Sequence, residues 1–141
     1  MLTTTRFLTL ALPVLVGVSA CDEAPKKGAE SGDQVILSWR SANLGTIDLS
    51  ESTDSEVFKG GNCRTGKVAA LHVDLCEFKD ALAADTAKEQ GLAKIGANTG
   101  AALVRDRFLL VVADKDKADV HGKVINQVAK LFLEPPPPMG L

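Results

Sequence analysis

Between residues 33 and 133 the apolar positions change period several times, and each change marks an element. Val35, Ile36 and Trp39, with Asn43 a turn further on, share one face at helical spacing. Asp33 stands where an N-cap belongs, and Gly45 stands where a helix stops. Val35, Leu37 and Trp39 also alternate as in a strand, but the cap and the closing glycine favour a helix. Residues 46–50, TIDLS, read as a short strand, and ESTDSEVFKGGNC after them reads as loop. The segment KVAALHVDLCEF, residues 67–78, is the first long stretch of period two. Ala69, Leu71, Val73 and Leu75 form one face; Val68, Ala70, His72, Asp74 and Cys76 form the other. An apolar face backed by a mixed one describes an antiparallel sheet covered on one side.

The next run, Lys79 to Gln90, is rich in Ala, Lys and Glu, with Phe78, Ala81 and Leu82 at helical spacing, and Gly91 closes it as a C-cap residue would. AALVRDRFLLVVAD reads as two strands, 101–104 and 107–113, joined by a tight turn at Arg105-Asp106. Val120, Val124, Ile125, Val128, Leu131 and Phe132 then trace the apolar stripe of a final helix. Asp119, Lys123, Gln127 and Lys130 face out, and Asp116 or Asp119 is placed to cap the start. The order helix, strand, strand, helix, strand, strand, helix predicts an α+β domain over residues 33–133. Its expected form is a four-stranded, mostly antiparallel sheet with helices on one face, a ferredoxin-like sandwich. A helix-strand-strand unit occurs twice in this order.

The N-terminus follows a different rule. Residues 1–20, MLTTTRFLTLALPVLVGVSA, carry one charge, Arg6, and an apolar run from Phe7 to Val18 broken by Pro13 and Gly17. A membrane span needs roughly 18 or more apolar residues. This run is shorter and has the length of a signal-peptide core. Val18-Ser19-Ala20-Cys21 resembles a lipobox, the cleavage site of bacterial lipoproteins, with Val at the place where Leu is commonest. The resemblance implies removal of residues 1–20 and a diacylglycerol, with or without a third acyl chain, on Cys21. An ordinary secretory signal is the alternative, since Val18 and Ala20 also fit its small-residue rule. Two or more acyl chains hold a protein firmly on a membrane. Residues 22–32, DEAPKKGAESG, lack apolar periodicity and read as a flexible tether with a reach of ~17–20 Å. At the far end EPPPPMGL, residues 134–141, favours an extended polyproline conformation and reads as a disordered tail. The stretch from Gly96 to Phe132 resembles a domain type of small lipoproteins in environmental Gram-negative bacteria; that resemblance implies no function.

Composition sharpens the picture in two ways. Aromatic residues are 4% of the 141, with no Tyr and one Trp, so Val, Leu, Ile and Ala must build the core. Lys+Arg total 16 and Asp+Glu 18, for a net charge of −2, which argues against a nucleic-acid partner. Cysteine usage bears on the compartment. The chain has three: Cys21, Cys63 and Cys76. An odd count in an exported protein leaves one thiol over, and lipidation of Cys21 removes it. Cys63 and Cys76 then form a pair that an oxidising compartment turns into a disulfide. They are too far apart in sequence for a CxxC redox motif.

Other chemistry is sparse. His72, Asp74 and Cys76 alternate along one strand face, and Cys63 is able to complete a shell, so a zinc or copper(I) site is the alternative use of these four residues. His121, in ADVHGK, is a solvated first-turn residue or a base. GANTG, residues 96–100, lacks both the dinucleotide-binding glycine pattern and a Walker lysine. DLSESTDSE, residues 48–56, offers Asp48, Glu51, Asp54 and Glu56 without EF-hand spacing. No nucleophile, base and acid set appears. The expectation is a membrane-anchored, non-enzymatic lipoprotein of the cell envelope, without cofactor, working through an envelope protein partner. A periplasmic metal-binding protein using Cys63, His72, Asp74 and Cys76 is the rival.

Overall fold

The computed structural model of the chain describes residues 31–52 and 57–134. The signal-like segment, Cys21 with most of the tether, residues 53–56 and the proline tail lie outside the described residues.

Helix α1 spans Gly32–Ser41 and buries Val35, Ile36 and Trp39. Its end is set by Asn43, not Gly45. Asn43 takes a left-handed φ of 54°. Its N–H donates to the Arg40 carbonyl, while the Leu44 N–H reaches back to the Trp39 carbonyl. This is a Schellman closure with Leu44 and Trp39 as its apolar pair. Asp33 does not cap the helix, because it sits inside the first turn and turns to Arg64 instead.

Five strands follow the order β1-β2-β3-β5-β4, every neighbouring pair antiparallel. Strand β1 is Ile47–Glu51, β2 Asn62–Val68, β3 Leu71–Glu77, β4 Thr99–Arg105 and β5 Phe108–Asp114. The α+β class and the antiparallel sheet hold, but the strand count is five, not four. The extra strand, β2, comes from the polar segment NCRTGKV, which lacks an apolar alternation. Its pairing with β3 splits the 67–78 run at Ala69-Ala70, where Ala69 takes a φ of 53°. A two-residue turn with positive φ matches strand twist. Because the chain reverses there, Val68 joins the face of Leu71 rather than the opposite one.

Helix α2, Ala81–Ile95, runs past Gly91 to a cap at Gly96. The Asp80 carboxylate caps its start by accepting from the Ala83 N–H at 2.8 Å. Gly91 serves close packing, not termination: a Cβ there would lie 2.7 Å from Val111 Cγ2. Helix α3, Lys123–Leu133, starts later than the apolar stripe implies, and Val120 is exposed. Asp119 accepts from the Ile125 N–H at 2.9 Å, in the manner of a cap.

Helices cover both faces of the sheet, which corrects the one-sided expectation. On one face, Val35, Ile36 and Trp39 of α1 and Ile125, Val128 and Phe132 of α3 pack on Val73, Leu75, Phe108, Leu110 and Val112. The Trp39 Nε1–H ties the two helices by donating to the Val128 carbonyl at 3.2 Å. On the other face, Ala84, Ala87 and Ile95 of α2 pack on Ala102, Leu109, Val111 and Ala113. Strand β5 is buried at every position. A strand covered on both sides reads as a continuous apolar run, and FLLVVA is one.

Candidate functional site

On the α2 side, the sheet can be read in rows across β2, β3, β5 and β4. The first row is Cys63, Cys76, Leu109 and Val104; the second is Thr65, Asp74, Val111 and Ala102; the third is Lys67, His72, Ala113 and Gly100. Along this series polarity rises at the β2 and β3 positions, and bulk falls at the β5 and β4 positions.

The first row is closed. Cys63 and Cys76 are joined by a disulfide and are 8% and 0% exposed. They face each other directly, Cα atoms 4.0 Å apart. The Cys63 carbonyl accepts from the Ser52 N–H on the β1 side, so the pair is non-hydrogen-bonded across β2 and β3. That is the register at which antiparallel backbones approach most closely. Phe58 and Phe78 are buried in the same cluster.

In the second row, Asp74 is buried. Its carboxylate accepts from Thr65 Oγ1 at 2.8 Å and pairs with Lys94 Nζ, from the last turn of α2, at 2.7 Å. A sheet covered on one side only would leave the mixed face, Asp74 included, in solvent; Asp74 is instead buried. Lys94 also lies over the Phe58 ring, 5.5 Å from its centre.

The third row is open. Lys67 pairs with Asp116 at 3.1 Å, and His72 Nε2 lies 3.5 Å from the same carboxylate. Asp116 is held below the ordinary aspartate value by the hydrogen bond from Lys67, then by the charge of Lys67, with a smaller pull from His72. Around this row lies a hollow of about 340 Å³. Val111, Ala113 and Ile95 give it an apolar floor, and Lys67, Lys94 and Lys115 stand around it.

The four residues of the proposed metal shell do not act together. Both sulfurs are spent in the disulfide, Asp74 is committed to Lys94 and Thr65, and His72 turns to Asp116. Among the described residues, no group of three or more His, Cys, Asp or Glu side chains is placed to hold a metal ion. His121 is exposed, just ahead of α3. GANTG has a structural part: Gly96 caps α2, Asn98 Nδ2 donates to the Ile95 carbonyl, and β4 begins at Thr99. Asp48 and Glu51 belong to β1, while Asp54 and Glu56 lie outside the described residues. Cys21 lies outside them as well. Lys67, Lys94 and Lys115 were not singled out by sequence, since isolated lysines on charged elements look like any solvated face.

Compared with known proteins, the chain matches no family model, no curated protein and no solved structure. Among the described residues, no helix is long and apolar enough to cross a membrane.

Proposed function

We propose that this chain is an exported protein of the bacterial cell envelope, anchored by lipid on Cys21, whose α+β domain is non-enzymatic and works by contact with an envelope protein. The observation that carries the reading is the division of the cysteines. Two of three are consumed within the domain by a buried disulfide, the bond expected of an oxidising compartment. The third stands alone at a lipobox-like sequence, Val18-Ser19-Ala20-Cys21, behind an apolar run of signal-peptide length. Each cysteine then has one use. The uncovered half of the α2-side face, with Thr65, Lys67 and His72, is the contact surface in this reading.

Lipid attachment is tested by growing a bacterial host that expresses the chain with an alkyne-tagged palmitate. The wild-type chain should carry the tag and sediment with membranes. Cys21→Ser should carry none. An untagged wild-type chain, recovered soluble outside the cytoplasm, would instead mark an ordinary secreted protein.

A further inference from the structure

We propose that the hollow beside the last turn of α2 binds a small organic anion, a carboxylate borne on a short apolar body. This goes beyond the envelope reading and stands on the domain alone, whatever anchors it.

The hollow owes its open floor to Ala113, the small β5 residue in the row Lys67, His72, Ala113 and Gly100. Gly100 has no freedom to be larger: a Cβ there would lie 2.3 Å from the Val112 carbonyl oxygen and 2.9 Å from Ile95 Cγ2. The walls then differ in character. Ile95, Val111 and Ala113 offer apolar surface at the bottom, and cations stand at the top.

The charge count decides the sign of the guest. Two carboxylates face the hollow or its rim, and each is already matched. Asp74 has Lys94 and the Thr65 hydroxyl; Asp116 has Lys67 and His72. Lys115 is left over, with no ion-pair partner among the described residues. Three lysines against two carboxylates leave the hollow one positive charge in surplus, and protonation of His72 adds another. A cation would meet that surplus and find both carboxylates occupied. A neutral ligand would gain nothing from Lys115, which stands exposed at the rim. An anionic group beside Lys115 with its apolar part on Val111 and Ala113 satisfies both walls, and a volume of about 340 Å³ suits a small molecule.

The test is a titration of the full chain with sodium hexanoate, following the methyl resonances of Val111 and Ala113. Saturable shifts in the millimolar range are expected, the affinity available to so few heavy atoms. Hexylammonium, equal in its apolar body and opposite in charge, should leave those resonances in place. Lys115→Glu should weaken hexanoate binding about tenfold. Lys130→Glu, an equal charge change on the exposed side of α3 across the sheet, should not. Ala113→Val, which fills the floor without changing charge, should abolish the shifts while the rest of the spectrum stays dispersed. Absence of saturable shifts, equal response to hexylammonium, or equal weakening by Lys115→Glu and Lys130→Glu would each overturn the proposal.

Discussion

Cys63 and Cys76 show how a single pair can fix a region. The bond closes a loop with a sequence separation of 13. In the chain-entropy account, a loop of this size is worth about 3 kcal/mol. Cys63→Ser and Cys76→Ser should therefore each lower stability by about 2–4 kcal/mol, and the double substitution by little more than either alone. Urea unfolding of the three variants checks this; additive losses would mean the residues act separately. The pairing was legible in the sequence because only two cysteines remain once Cys21 is set aside. Their geometry was not. Register opposite one another required β2, and β2 is written in Asn62, Arg64, Thr65 and Lys67, residues that carry no apolar alternation. The burial of Asp74 is hidden for a related reason. A carboxylate alternating with His72 reads as solvated until Lys94, twenty residues on, is known to descend on it from α2.

At the scale of elements, glycine and asparagine exchanged the roles that sequence assigned them. Gly91 looks like a helix end because glycine usually is one near a helix terminus. It lies instead on the stripe Ala84, Ala87, Gly91 and Ile95, where smallness lets α2 sit close to β5. Gly91→Ala gains about 1 kcal/mol of helix propensity. Against that, the new methyl meets a stiff, buried valine, and overpacking costs about 1–3 kcal/mol. The variant should be destabilised overall, by about 1 kcal/mol, in a thermal melt followed by circular dichroism. The Asp33–Arg64 pair ties α1 to β2. Asp33 is held below its ordinary value of 3.8, first by the Arg64 hydrogen bond and then by its charge. A depressed carboxylate stabilises the folded chain above the unfolded value and stops doing so as pH falls through the folded one. Asp33→Asn should therefore be less stable than the wild type near neutrality. The difference should vanish as pH drops below 3.8 and through the depressed value. Because the pair is exposed, it should also shrink with added salt.

For the molecule as a whole, the sequence conveys its class and hides its layering. Helices and strands were found close to their places, and the α+β class follows from their order. Layering depends on which strand is central. Phe108 to Ala113 carries that information as an unbroken apolar run, since a strand buried on both faces has no polar side to show. The apparent alternation of residues 67–78 argued the other way. It described the β2 and β3 half of the sheet, where the α2-side face is partly open, and not the β5 and β4 half. That unequal cover leaves the lysine-rimmed hollow at the edge of α2.

The central claim is that one cysteine anchors the chain and the other two brace its domain. Intact mass of the protein extracted from membranes tests it most directly, measured after alkylation with and without prior reduction. The account predicts a chain beginning at Cys21, heavier by its acyl groups, that takes up no alkylating agent until reduced and two equivalents afterwards. An unacylated chain, or two thiols alkylated without reductant, would contradict it.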